Sequence, residues 1–429
     1  MLPLLACAAS DGPAGAPFDD AAVEVVVSED VVTVATVTWG DDEADAVRVE
    51  YGPTVEYGKV ATGEGGRARL FGMPESSTWH FRVVAERDGA TFTGEDHTVT
   101  TGVLPAGVPE VAVVTPGDPG GYVLTSWLQE PSEGTASIVI DAEGNVVWYQ
   151  VPTWGVAMAS KVSADGKAIV SLISSHDELD LARIVRVSPE GVVEEELAVP
   201  LAHHDFLEVP HAKYAVIAGE IREVDGEPVV GDRIVEIAED GTERVVWNAF
   251  DHFPVEENDG FGWMAYPLGA DWTHANSLVY DADTDTYTVS LYMQRCIVRV
   301  ARETGESLWT MCGEGGGSVV PDVAFGPQHS LELTAEGLQF FDNAYEGGGS
   351  RLVAYAIDGQ TATRSWEWAH PEGVTAMVLG DVHTLPDGRV LSSWGEWRDI
   401  LVTRDDQIEW QVEVVDWASV AQVERFDGF

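Results

Sequence analysis

Between residues 23 and 103 apolar and polar positions alternate with a period of two in short runs: "VEVVVS", "VATVTW", "AVRVEYG", "RARLFGM", "WHFRVVAE" and "HTVTTG". Successive side chains on a strand point to opposite faces, so each run predicts a half-buried strand, and the Gly, Asp, Glu and Pro between the runs predict turns. The linker "GVLPAGVPE" follows, and beyond it the pattern changes.

From residue 109 onward the chain repeats itself. One half of the unit is a strand, a Gly-containing polar turn and a segment that often ends in tryptophan: "IDAEGNVVWYQV", "VSPEGVVEEELAV", "IAEDGTERVVWNAF", "VARETGESLWTM", "YAIDGQTATRSWEWAH" and "VTRDDQIEWQVEV". The other half precedes it, as in "SKVSADGKAIVSL", "HANSLVYDADTDTYTVSL" and "VHTLPDGRVLSSWG". Each half reads as a hairpin, so a full repeat supplies four strands. Four-stranded repeats spaced by about 40 to 60 residues fit the blades of a β-propeller. Six copies predict six blades over 109–429, with the tryptophans packed between blades.

In this register His204, His274, His329 and His383 all stand where a repeat's first long hairpin begins. First strands of blades line a central channel, so these histidines are expected to converge there. One histidine at a strand start is commonly structural; four at one place in a repeat point to a site.

Composition changes the picture in two ways. The formal net charge is −50, from 73 acidic against 23 basic residues, and lysine occurs only at 59, 161, 167 and 213. Such a surface repels nucleic acid and anionic membrane and suits a salty medium. The three cysteines are Cys7, Cys296 and Cys312. "MLPLLACAAS" resembles the end of a bacterial lipoprotein signal with Cys7 as the lipidated residue, preceded by too few apolar residues for a complete signal. The expectation is a start site further upstream, a tether over 1–22, a lipid anchor as the one membrane attachment, and an extracytoplasmic place in a bacterial cell envelope. Cys296 and Cys312 flank "VARETGES" and face each other if it turns a hairpin, as a cross-strand disulfide or as two buried thiols.

Two resemblances follow from these segments. The placing of Trp39, Tyr51, Leu70, Trp79 and Phe81 in 23–103 resembles a fibronectin type III sandwich, which implies a spacer or docking module. "HHDFLEVP", "DWTHANSLVYDADTDTYTVSL", "IVRVARETGESLW", "QHSLELTAEGLQFFDN" and "LPDGRVLSSWG" resemble segments of bacterial arylsulfate sulfotransferases of the PAPS-independent type, from residue 111 to the C-terminus. That resemblance implies an all-β chain built on a six-bladed propeller, often periplasmic. It implies transfer of a sulfuryl group from a small aromatic sulfate donor to a phenolic acceptor through a sulfo-histidine, without metal or cofactor. By motif, His329 is the residue sulfated and His274 and His204 assist it, with His203 a neighbour of open role. Asp271, Trp272, Asn276 and His383 are expected around the substrate.

The residue types suit the chemistry. Sulfuryl transfer is an in-line displacement like phosphoryl transfer, a neutral imidazole is a competent nucleophile, and nearby histidines can move the phenolic proton. One position departs. The family carries an arginine on the sulfuryl group eighteen residues after the "DWxH" histidine, and here that residue is Tyr292, with Arg295 three places on. A tyrosine donates a hydrogen bond but brings no fixed charge. Two readings therefore stand: a monomeric arylsulfotransferase, or a catalytically weak propeller acting as an extracytoplasmic binding or scaffold module.

Other signals are weaker. "DADTDT" (Asp281, Asp283, Asp285) lacks the Gly and Glu that a calcium loop needs and reads as a hairpin turn. "CGEGGGS" lacks the Lys-Ser/Thr of a phosphate loop. Converging imidazoles also suit zinc or copper. The insertion at 250–270 is expected to form a rim loop or lid.

Overall fold

The computed structural model describes residues 18, 20–40, 44–128, 136–175, 178–255, 268–343, 348–415 and 419–429. Cys7, most of the 1–22 tether and residues 256–267 of the expected lid lie outside them. The described residues are strands, turns and short 3₁₀ segments, and contain no α-helix. The chain divides into two units, Met1–Val103 and Leu104–Phe429.

The first unit holds a three-stranded sheet (Glu24–Val27, Ala35–Thr38, Arg67–Leu70) and a five-stranded sheet built on Ala46–Gly52 and Thr78–Arg87. In Thr78–Arg87 Trp79, Phe81, Val83 and Ala85 turn inward while Thr78, His80 and Arg82 do not. Both sheets feed one apolar core that contains Trp39, Tyr51, Leu70, Trp79 and Phe81. Tyr51 satisfies its buried hydroxyl by donating to the Phe71 carbonyl at 2.8 Å.

Among the described residues the second unit comprises six sheets, each with four antiparallel strands running from an inner to an outer position, and three of them gain a further strand: Ala270–Asp271, Val320–Pro321 and Val111–Thr115. The inner strands are Ser419–Phe426, Val156–Val162, Ala202–Val209, Ala275–Asp281, Gln328–Leu333 and Asp381–Thr384. They touch in that cyclic order, and the last meets the first. The ring is closed from both ends of the chain. Ser419–Phe426 is the inner strand of the sheet otherwise made by Tyr122–Leu128, Ala136–Ile140 and Val146–Gln150, and Val111–Thr115 pairs with the outer strand Gln407–Val414 of the sixth sheet.

Second strands such as Ile169–Ser174 and Thr286–Leu291 are buried along their whole length, because a neighbouring sheet covers each face. Tryptophans bridge the sheets: Trp148 Nε1 donates to the Pro189 carbonyl, Trp247 Nε1 to Ser307 Oγ and Trp410 Nε1 to the Ala142 carbonyl, all within 3.0 Å.

Around the centre, every inner strand is hydrogen-bonded to the next by a side chain that accepts a backbone N–H. Glu208 accepts from Ala164 (2.6 Å), Asp205 from Leu278 (2.8 Å), Ser277 from Leu331 (2.9 Å), Ser330 from Val382 (3.3 Å), Asp381 from Val423 (2.8 Å) and Glu424 from Val162 (2.8 Å). Four of the six acceptors are carboxylates, and a hydrogen bond to a charged group contributes about 1.5–3 kcal/mol against about 1 kcal/mol for a neutral hydroxyl, so this ring favours one register between neighbouring sheets.

Candidate functional site

Five of these inner strands break register. The shifts fall between Ala157 and Ala159, Ala202 and Phe206, Ala275 and Ser277, His329 and Leu331, and Val420 and Val423. A bulge turns side chains away from the pleat and is enriched beside functional sites. Here it goes with left-handed backbone at His204 (φ 59°), His274 (φ 47°) and Ser330 (φ 50°), a conformation that non-glycine residues hold only where the surroundings impose it.

Counted from the ring-forming residues Asp205, Ser277, Ser330 and Asp381, the preceding positions are His204, Asn276, His329 and Gly380. These four line one small cavity of about 30 Å³ at the centre of the ring. The equivalence expected of the four histidines therefore does not hold. His274 precedes Asn276 by two residues and joins the cluster from behind, its ring centroid 4.5 Å from that of His204. His383 follows Gly380 by three residues on a strand with unbroken register, and it lines a separate cavity of about 460 Å³ with Lys161, Asp205, Glu332 and Glu424. There it pairs with Asp381 at 3.0 Å. Ser330 and Gln422 line both cavities.

His329 is held by two atoms. Its Nδ1 lies 2.8 Å from Asn343 Oδ1, and its Nε2 accepts from the Leu379 N–H at 3.2 Å. Asn343 has its Nδ2 committed to the carbonyls of Ala376 (2.8 Å) and Leu379 (3.0 Å), so its Oδ1 faces His329 and Nδ1 must carry the proton. The lone pair is thereby fixed on Nε2. Burial, with the nearby charge of His274 adding to it, pushes the His329 pKa down to about 3, so the ring is neutral at physiological pH. The Leu379 N–H is placed by two left-handed residues, Leu379 (φ 62°) and Gly380 (φ 104°). A Cβ on Gly380 would stand 2.6 Å from the Phe341 ring, so only glycine fits there.

His274 is set the other way. Burial opposes its charge, but Asp271, whose Oδ2 is 2.5 Å from Nδ1, and Asp232 together raise its pKa above the ordinary value. Asp271 is positioned by the short strand Ala270–Asp271, which pairs in parallel with Glu227–Ile237. His203 Nδ1 lies 2.7 Å from His204 Nδ1, and His203 Nε2 lies 2.9 Å from Asp232 Oδ1.

Tyr292 stands between the two kinds of histidine, its ring centroid 5.6 Å from His274 and 5.0 Å from His329. It is 1% exposed, and its hydroxyl donates to the Met377 carbonyl at 2.6 Å. Arg295 sits in the turn after it and pairs with Glu314. Asn276 Nδ2 donates to the Gln328 carbonyl at 2.8 Å, and its buried Oδ1 has no protein donor among the described residues. Trp272 is stacked under Phe250 at 5.1 Å and supports the segment without lining the small cavity. Cys296 and Cys312 are opposite one another on adjacent strands and form a disulfide. Asp281 and Asp285 of "DADTDT" pair with Arg299 and Arg302. Among the described residues no group of three or more His, Cys, Asp and Glu is arranged to hold a metal ion.

Sequence reasoning left three groups of the site unassigned: Asn343, the Asp232–His203 pair and the Leu379 N–H. "FDN" stands among the resembling segments, so Asn343 was within reach. Asp232 and Leu379 sit in segments without any motif.

A family model described as Arylsulfotransferase (ASST) matches residues 111–419. No curated protein matches the chain. Among solved structures, similar chains include a protein of unknown function from Bacteroides caccae (11% identity, 70% of this chain and 98% of that one, TM-score 0.42). They also include a β-propeller domain from Myceliophteria thermophila (12% identity, 71% and 90%, TM-score 0.39) and virginiamycin B lyase from Staphylococcus aureus (14% identity, 71% and 84%, TM-score 0.35).

Proposed function

The chain belongs to the arylsulfotransferase (ASST) family, and on that premise we propose that it moves a sulfuryl group from a phenolic sulfate ester to a phenol with His329 as the residue that carries it. The observation that supports this best is the fixed tautomer of His329. Asn343 holds the Nδ1 proton, and Nε2 keeps a lone pair in a neutral ring at the central cavity. A neutral, oriented imidazole is what nucleophilic attack on sulfur requires. Once Nε2 is sulfated it no longer accepts from Leu379, whose N–H then faces the sulfuryl oxygens.

His274 takes over the electrostatic task of the family arginine. The charge of His274 is one reason that a proton is disfavoured on His329, and by the same interaction it favours an anionic sulfuryl group there. Tyr292 is the spacer between them. His204 borders the cavity and is the acid–base partner for the phenolic oxygen.

In the same reading, the six sheets are the blades of a propeller. The first unit is a fibronectin type III-like spacer, and the protein is a monomer of the bacterial cell envelope, anchored through Cys7. The disulfide supports an oxidising compartment. The binding-module reading draws on the Tyr292 hydroxyl, which is bonded to Met377, and on the small cavity, which holds a water-sized group as it stands.

The test is purified protein in high salt with a nitrophenyl sulfate and a phenol. Wild type should release nitrophenolate and, without acceptor, retain a sulfuryl group on the peptide that contains His329, whereas His329→Ala does neither. Folded wild-type protein that is inert toward several donors would favour the binding module.

A further inference from the structure

Behind the His204 face of the cavity lies a second row. His203 is 1% and Asp232 2% exposed. Asp232 is fixed from several sides: its Oδ2 accepts the Ala275 N–H at 2.5 Å and the Thr273 hydroxyl at 2.7 Å, and its own N–H donates to Thr273 Oγ1 at 2.9 Å. Burial works against its charge, but His203 and these donors overcome it and hold the carboxyl below the usual range. Asp232 is therefore an acceptor, and His203 Nε2, 2.9 Å away, carries a proton. The two Nδ1 atoms of His203 and His204, 2.7 Å apart, then share a single proton.

We propose that Asp232 and His203 form a proton store that switches His204 between general base and general acid in the two halves of the transfer. The proposal rests on the sulfuryl-transfer reading and assigns His203 and Asp232 as positioning residues.

With His203 neutral, the shared proton is on His204 Nδ1, and His204 Nε2 has a lone pair. When an acceptor phenol attacks sulfo-His329, the phenolic proton goes to His204 Nε2. The Nδ1 proton passes to His203, which becomes an imidazolium beside Asp232. The new O–S bond forms, the N–S bond breaks and His329 is neutral again. In the next turnover His329 Nε2 attacks a donor ester and its O–S bond breaks. His204 Nε2–H protonates the leaving phenolate while the stored proton returns from His203 to His204 Nδ1. One proton enters and one leaves per cycle. The other charged groups around the pair are His274 with Asp271, from the segment between the third and fourth sheets, and Asp205 next along the strand. Asp205 is engaged by Lys161 and the Leu278 N–H.

The experiment combines His203→Gln with imidazole ¹⁵N spectra of the intact protein. Gln keeps an amide at the position but stores no proton. The variant should still give a single-turnover burst with a nitrophenyl sulfate, whose phenolate leaves unaided. It should lose about 10²-fold or more in kcat with phenyl sulfate as donor, with KM little changed. An equal loss for both donors means a structural role and overturns the store. In wild-type spectra His203 Nε2 should be protonated throughout, and the proton between the two rings should exchange between His203 Nδ1 and His204 Nδ1. A doubly protonated His204 beside a neutral His203 also overturns it. The spectra are read without turnover, so wild-type protein that lacks transferase activity but shows the tautomer exchange refutes the function and not the store.

Discussion

Asn343 Oδ1 and His329 Nδ1 are 2.8 Å apart, and Asn343 cannot turn because both hydrogens of its amide are committed to the carbonyls of Ala376 and Leu379. One amide thus fixes the proton of His329 on Nδ1 and leaves the lone pair on Nε2, the nitrogen proposed as the nucleophile. Asn343→Leu should keep the fold but release the tautomer. The expected result is a loss of about 10²-fold or more in kcat, on the scale of removing one preorganised polar group from a catalytic site. Steady-state kinetics with circular dichroism as a folding control checks it; unchanged kcat would show that Asn343 does not orient the ring.

Tyr292→Arg restores the family's residue type but sets a second cation against His274. Transfer should fall rather than rise, with the His274 resonance titrating at lower pH. Tyr292→Phe leaves the Met377 carbonyl without its donor, which costs about 1–3 kcal/mol for a buried polar group. Urea denaturation and the same transfer assay read both variants.

Two histidines give stability a signature at opposite ends of the pH scale. His329, held at about 3, remains neutral in the native state while its unfolded counterpart takes a proton near 6.5. Stability from this residue therefore falls as pH drops from 6.5 toward 3. His383 behaves in reverse. Burial opposes its charge, but Asp381, with help from Glu332 and Glu424, raises its pKa to about 9, so its contribution is full below 6.5 and is lost as pH rises through 9. Melting curves from pH 4 to 10 should show both slopes. His383→Gln should flatten the alkaline slope alone.

The Cys296–Cys312 bridge closes a span of 16 residues between neighbouring strands. Loop-closure entropy for a loop of that size is about 3 kcal/mol. Reduction, or the double change Cys296→Ser with Cys312→Ser, should lower the denaturation midpoint accordingly. Gln328, beside His329, donates to the Cys296 carbonyl at 3.0 Å. Some loss of transfer is expected with the bridge, measured at a temperature where both forms are folded.

Much of this site was legible because strand chemistry is periodic. His204 and His329 could be found from their place in the repeat, and His274 from its motif. What the period could not show was the bulge. A single extra residue moves Asn276, not His274, into line with His204 and His329, and the absence of a bulge in Asp381–Thr384 carries His383 into the other cavity. The tyrosine in place of arginine was visible as a loss. The compensation proposed for it was visible only in part: Asp271 of the same motif contributes most to favouring the charge on His274, and Asp232, more than forty positions away in a segment without a motif, adds to it.

The seam at Ser419–Phe426 has a bearing on how the ring closes. Carboxylates tie this strand on both sides, Asp381 to its Val423 N–H and its own Glu424 to Val162 N–H. The strand pairs with Tyr122–Leu128, nearly three hundred residues away in sequence, so the ring of inner strands closes only when two distant parts of the chain meet. Ala421 and Gln422 of this strand complete the lining of the small cavity beside His329, so that cavity is enclosed by one of the two most non-local pairings in the unit.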